Sequence, residues 1–217
     1  MVHKFSAQIN RANDILRMEG FFLLLKKIFS YYFFQYRTFY LYEHELKELD
    51  ESKFLPRMKN YSVQIVTDNV QADKLADKGF DFRSHLPKAR KGLANGAVAF
   101  CIYKNNELAS IGWLALNEKA RKYVDPLPYY VDYAAGEVGS GGSKTIPKYR
   151  GQGLLTYSYF LRLKYLYEHN VRIMRSAVEK NNLPSHKMHK KFNEKIPAKA
   201  RYIKILGWQS WKETPLT

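Results

Sequence analysis

Hydrophobic positions in this chain fall into short β-rich runs separated by polar turns, with one long helical run in the last third. Tyr61-Ser-Val-Gln-Ile-Val-Thr67 alternates apolar and polar residues, as a half-buried strand does. Ala97-Val-Ala-Phe-Cys-Ile-Tyr103 and Leu108-Ala-Ser-Ile-Gly-Trp-Leu-Ala115 read as two further strands. Between them Lys104-Asn105-Asn106-Glu107 reads as a hairpin turn, because Asn tolerates positive φ. Residues 69–93 look helical in parts, with breaks at Gly79 and Pro87. Residues 117–130, with Pro126 and Pro128, read as a loop, and Val131 to Ile146 as a central strand. From Leu154 to His169 the period changes to that of a helix. Leu154, Tyr157, Leu161 and Tyr165 form one stripe, and Phe160, Leu163 and Tyr167 a second, so the helix is expected to be buried on more than one side. A strand at Val171–Val178, a short helix at His186–Phe192 and a strand at Arg201–Trp208 close the chain.

The first third is different. Ile9, Ala12, Ile15 and Leu16 stand among polar residues at helical spacing, and Gly20 to Phe34 is apolar and aromatic but interrupted by Lys26-Lys27. No uncharged stretch reaches the ~20 residues of a membrane-spanning helix. Aromatic density beside paired lysines suits a helix lying at a membrane interface, and equally a helical hairpin packed on the main domain or on a second copy. Tyr40 to Ser52 is acidic and leads into a linker ending near Pro56. The expected organisation is a helical N-terminal extension over residues 1–58 and a main domain over residues 59–217.

The most informative stretch for chemistry is Pro147-Lys148-Tyr149-Arg150-Gly151-Gln152-Gly153-Leu154. Glycines at a turn that feeds a helix leave N–H groups unpaired at the positive end of the helix dipole, which suits a phosphate or pyrophosphate. Gly139-Ser-Gly-Gly-Ser-Lys-Thr145 imitates a nucleotide-binding loop, but Ser143 stands where a glycine is needed and Pro147 opposes an immediate helix. A bulged or splayed strand edge is the better use of those glycines. No Gly-x-Ser-x-Gly elbow marks a hydrolase. Cys101, the one cysteine, sits in an apolar run with no base beside it, so it reads as a core thiol. With no intramolecular disulfide available, a reducing compartment fits. No CxxC pair or His-rich cluster suggests a metal.

The order of these elements, with Arg150-Gly151-Gln152-Gly153-Leu154-Leu155 at the turn into a helix, resembles the GNAT acyl-CoA N-acyltransferase superfamily over roughly Tyr61 to Trp208. Leu155 departs from the small residue usual there. The resemblance implies an α/β (α+β) fold, a mixed, mostly antiparallel sheet flanked by helices. It implies acetyl-CoA or another acyl-CoA as donor, held by Arg150, Gly151, Gln152, Gly153, Leu154 and Leu155. Thr145 and Ile146 would offer backbone hydrogen bonds to the pantetheine amides, from a strand that splays from its neighbour. Asn182 and Ser185 fall at positions that contact the pantetheine chain, and Asn182 also suits a helix cap. His189 stands where the family often keeps a tyrosine general acid, and Asn193 replaces a usual glycine. Glu137 lies at the spacing of a carboxylate general base.

Charge widens the choice of partners. The formal net charge is +16, and residues 141–217 hold 16 basic against 4 acidic side chains. That is either a solvated basic face or an attraction for coenzyme A phosphates, an acidic carrier protein, anionic lipid or nucleic acid. The leading expectation is acetyl transfer from acetyl-CoA to a small-molecule amine by direct attack. One alternative is long-chain acyl transfer from an acyl carrier protein or acyl-CoA at or near a membrane. Another is a non-catalytic basic module for lipid or nucleic acid, disfavoured for nucleic acid because the aromatics lie in core-like runs. The start of the chain lacks a signal-peptide cleavage pattern, so a cytoplasmic location is expected, with peripheral attachment at the inner face of a membrane left open. The acceptor and the oligomeric state are not encoded in any readable motif.

Overall fold

The computed structural model describes residues 34–83 and 88–216. The helical reading of residues 9–33 and the break at Pro87 lie outside the described residues. One eight-stranded sheet organises the molecule. Its strands are β1 (Phe34–Glu45), β2 (Ser62–Val66), β3 (Ala97–Lys104), β4 (Glu107–Ala115), β5 (Glu137–Thr145), β6 (Ile173–Glu179), β7 (Lys195–Ile205) and β8 (Trp208–Pro215). They lie in the order β2-β3-β4-β5-β6-β1-β7-β8. Every neighbouring pair is antiparallel except β5–β6, which is parallel. The helices are α1 (Asn69–Asp77), α2 (Ala89–Ala94), α3 (Glu118–Val124), α4 (Leu154–Glu168) and α5 (Leu183–Lys191).

The expected mixed, mostly antiparallel sheet flanked by helices is present. The hairpin between β3 and β4 turns on Asn105 (φ 49°) and Asn106 (φ 62°), both left-handed, as the Asn-Asn pair suggests. Helix α4 buries residues on both of its apolar stripes and packs with Phe100, Leu114, Val138 and Met174 on one face of the sheet. Met188 and Phe192, at and just beyond the end of α5, join that core. On the other face Val66, Ala99, Cys101 and Trp113 pack with residues of α1, α2 and α3. Cys101 is fully buried there, as expected, and burial pushes its thiol pKa up.

Three readings of the chain are corrected. Residues 34–45, read as part of a helical extension and an acidic lead to a linker, form a strand inside the main sheet, between β6 and β7. The alternation of Phe39, Leu41 and Glu43 against Tyr40, Tyr42 and His44 sends each set to its own face. Phe39 and Leu41 are buried beneath residues of β7 and β8 and the segment before β5. Within the expected loop 117–130 lies α3, started by Asn117, whose side chain accepts the Ala120 N–H. The single closing strand is a hairpin of β7 and β8, turned by Leu206 and Gly207.

Among the described residues no helix is long and apolar enough to cross a membrane. Because β1 is paired on both edges, it behaves as core. Leu41→Ala is expected to cost about 2–5 kcal/mol, as buried leucine truncations do, measured by urea denaturation. A cost under about 0.5 kcal/mol, typical of an exposed site, would show that β1 is an appendage.

Candidate functional site

β5 and β6 pair only at Glu137–Ile173, Val138–Met174 and Gly139–Arg175. Past Gly139 and Arg175 they part, and a V-shaped cleft of about 260 Å³ opens through the sheet. On the face that carries α4 and α5 the cleft is lined by Leu155, Tyr159 and Arg162 of α4 and Met188 and His189 of α5. Asp125 and Phe39 line it from the other face. A more open hollow of about 420 Å³ lies at the far end of α4, between Glu45 and Ile173, away from the glycine turn.

The vertex of the V is pinned electrostatically. Arg175 of β6 holds Glu137 of β5 through two bonds (Nε–Oε2 2.6 Å, Nη2–Oε1 2.7 Å) and Glu43 of β1 at 3.0 Å. Above the vertex β5 stays bonded to β4 on its other edge. A register shift between Ile111 and Trp113 marks a bulge in β5 at Gly142 and Ser143, opposite Gly112, and Gly142 has a φ of +59°. The strand-edge reading of the Gly139–Thr145 glycines is therefore correct. Gly141 has a packing reason of its own: a Cβ there would lie 2.7 Å from Asp125 Cβ.

At the open end of the V, Gly151 (φ +77°) and Gly153 (φ +83°) turn the chain into α4. Gly153 is the N-cap and no side chain caps the helix. The first main-chain bond of the helix is Tyr157 N–H to the Gly153 carbonyl. The N–H groups of the first turn therefore have no side-chain cap, an arrangement that suits an anion. The turn is braced from behind, where Arg57 N–H donates to the Gln152 carbonyl at 2.9 Å.

The cofactor residues expected from the sequence fall into two groups. Arg150, Gly151, Gln152 and Gly153 are exposed around the helix N-terminus, and Leu155, Asn182 and Ser185 line the cleft. Asn182 caps α5 by accepting the Ser185 N–H. Leu154, by contrast, is a core residue. Ile146 gives its N–H to the Ala109 carbonyl at 3.0 Å, so that group is not free for a pantetheine amide. Thr145 bonds Ser110 Oγ through its hydroxyl, while alternation along the strand turns its backbone toward the open edge.

The two expected catalytic residues lie in unexpected surroundings. Glu137 lies below the vertex, and it does not line the cleft. Burial raises its pKa, but the Arg175 bonds outweigh burial and hold the carboxyl below its ordinary value. It is a structural ion-pair partner and a weak base. His189 is 2% exposed, far from the surface position its basic neighbours suggested. Its Nδ1 lies 2.6 Å from Glu194 Oε2, and its ring stacks on Tyr42 at 4.0 Å. A carboxylate only accepts, so Nδ1 carries the proton. Burial lowers the His189 pKa despite the Glu194 contact. At neutral pH Nε2 therefore holds a lone pair, the state of an acceptor and not of the expected acid.

Two participants escaped the sequence. Burial pushes Glu194 up, yet bonds from His189 and His44 hold it down at about 2. Asp125, just after α3, keeps part of its surface in the cleft, and burial of its carboxyl pushes the pKa up to about 6. No spacing rule finds either residue. Only the loss of a side chain at Gly141 hints that something packs against that strand.

No family profile and no curated protein matches the chain. Solved structures do match. A tandem GNAT protein from the clavulanic acid biosynthesis pathway superimposes with a TM-score of 0.51 at 14% identity, over 88% of this chain and 59% of that one. This chain has the GNAT fold. A GCN5-related N-acetyltransferase from Sphaerobacter thermophilus gives a TM-score of 0.48 at 10% identity, over 89% and 57% of the two chains. A GCN5-related N-acetyltransferase-like protein from Streptococcus suis gives 0.48 at 14%, over 89% and 68%. The chain thus spans less than two thirds of the tandem protein and of the Sphaerobacter protein. Within the GNAT fold, the splayed β5–β6 pair and the glycine turn at α4 are the features that form the cleft.

Folded His189 binds its proton less tightly than an unfolded histidine. Its contribution to stability is complete above about pH 6.5 and is lost as pH falls below that value. Glu194 adds a loss only lower, between 4.5 and about 2. Asp125 is shifted the opposite way and gains stability as pH falls through about 6. The diagnostic is therefore the difference between wild type and His189→Asn in urea unfolding. It should shrink steadily from about pH 6.5 to 5, and a difference independent of pH would mean that His189 is not held neutral.

Proposed function

We propose that the chain is an N-acyltransferase that moves an acyl group, with acetyl as the reference case, from acyl-CoA to an amine by direct attack. The observation that carries this reading is the pairing of a parted β5–β6 edge with a glycine-turned, uncapped helix N-terminus at its open end. The helix end accepts pyrophosphate, with Arg150 beside it, and the open strand edge accepts an amide-bearing arm. The likeness of fold supports the reading without reaching the reaction itself.

The reaction needs a neutral amine. Asp125, near pKa 6 and partly open to the cleft, suits the base, directly or through a water. The amine nitrogen attacks the thioester carbonyl carbon, the new C–N bond forms, and the C–S bond breaks. The coenzyme leaves as thiolate, and the amine proton passes to Asp125. A thiolate is a good leaving group, so no acid is required of His189. That residue instead holds the wall of the cleft together through Glu194 and Tyr42. Aminated small molecules remain the proposed acceptors. An acyl carrier protein or an anionic membrane surface is supported only by the basic last third of the chain.

Titration calorimetry with acetyl-CoA tests the donor. Micromolar binding is expected, weakened about tenfold by Arg150→Ala, and absence of binding to any acyl-CoA would sink the reading. Where turnover is measured by thiol release, kcat/KM should fall on the acid side with an apparent pKa near 6. Asp125→Asn should remove that limb and lower the rate at least about 10²-fold. A limb unchanged in Asp125→Asn would assign the base elsewhere.

A further inference from the structure

The vertex of the cleft holds a buried arginine with no counter-ion among the described residues. Arg162 of α4 is 1% exposed. Its Nη1 donates to Ser140 Oγ at 2.7 Å and its Nε to the Ser158 carbonyl at 3.1 Å. The guanidinium stands 4.9 Å from the centre of the Tyr159 ring. Nη2 has no hydrogen-bond partner among the described residues, and no carboxylate there lies within ion-pair distance of it. Glu194 acts on it only at longer range, its oxygens being turned to His189 and His44.

Burying a cation without a partner is costly, and this one keeps its charge, because burial lowers its pKa only to about 10. The fold also makes room for it. A Cβ at Gly112 of β4 would come within 2.9 Å of Arg162 Cζ and 2.8 Å of Ser158 Oγ. Ser158 Oγ in the same place is also unpartnered among the described residues, whereas the Tyr159 hydroxyl interacts with Glu194 and Ser176. A fixed guanidinium fork with a free Nη2 beside an unpartnered hydroxyl is the complement of a planar anion with two oxygens.

Position decides which anion. Ser140 and Ser176 are the first residues beyond the last β5–β6 pair, so the Ser140–Arg162 bond lies at the closed end of the V. Along α4, Arg162 stands about 12 Å from Leu154 at 1.5 Å per residue. A donor whose phosphates sit at the glycine turn and whose arm follows the open β5 edge would direct its acyl end toward that closed end of the V. We propose that the vertex recognises a carboxylate at the tip of the acyl group, so that the preferred donor is the CoA thioester of a short dicarboxylic acid. The inference rests on the acyl-CoA reading above. It also disfavours long aliphatic donors, whose chain ends would meet a cation and hydroxyls.

Calorimetry on the full chain with CoA, butyryl-CoA and succinyl-CoA tests it. The two thioesters match in length and differ in a terminal methyl or carboxylate. Succinyl-CoA is expected to bind at least about tenfold more tightly. That ratio should collapse toward one in Arg162→Gln and shrink in Gly112→Ala. Should Arg162→Gln fail to fold, the wild-type ratio still decides. Equal binding of the two thioesters overturns the inference alone, whereas failure of CoA and both thioesters to bind overturns the acyl-CoA reading with it. Equal thioester binding accompanied by CoA-enhanced affinity for free glutarate would move the carboxylate to the acceptor and overturn the donor assignment.

Discussion

Arg175 sits at the junction on which the rest of the structure depends. One guanidinium ties the first turn of pairing between β5 and β6 to β1, through Glu137 and Glu43. Parallel strands connected by a helix have no intrinsic reason to part. Here the pairing stops at the ion cluster, and the next residues face polar side chains from α4 in place of each other. A partly buried bidentate pair of this kind has directional geometry as well as charge. It fixes where the sheet stays closed, and hence the depth of the cleft.

β1 serves both faces of that junction. Its outer alternation buries Phe39 and Leu41 against the segment before β5 and the β7–β8 hairpin. Its inner alternation carries Tyr42 and His44 to α5. The Tyr42 hydroxyl donates to His186 Nδ1 at 2.7 Å, and His186 Nε2 in turn reaches the Glu179 carbonyl at 3.0 Å. Tyr42 also stacks on His189, and His44 approaches Glu194 at 3.5 Å. Residues early in the chain thus orient groups that lie some 150 positions later, through a connected buried network whose parts stabilise one another.

The electrostatics of the cleft are graded along its length. The mouth presents helix N–H groups and Arg150, the middle is walled by half-apolar side chains, and the vertex holds Arg162, which has no counter-ion among the described residues. Both ends are positive, and Asp125, the one carboxyl with a raised pKa among the described residues, lies on the face opposite α4 and α5. In the proposed reaction a doubly anchored anion and an approaching amine would meet in the middle from opposite faces of the sheet, which would hold the anionic donor and the Asp125 carboxylate apart.

The sequence by itself determined whatever depends on local order: the strand runs, the Asn105-Asn106 hairpin, the two-sided helix α4 and the left-handed glycine turn that starts it. Those follow from side-chain period and from which residues tolerate positive φ, both properties of neighbours in the chain. Where the hydrophobic run of β1 belonged was not decided locally. Aromatic alternation next to an acidic stretch fits an exposed helix or an edge strand alike, and only two vacant strand edges, supplied by β6 and β7, select the central position. The surroundings of the candidate catalytic residues were hidden for the same reason. Glu137 has the right spacing, but its partner Arg175 arrives from another strand. Asp125, Glu194 and Arg162 acquire their character from burial, and burial is a property of packing that no short window of residues contains.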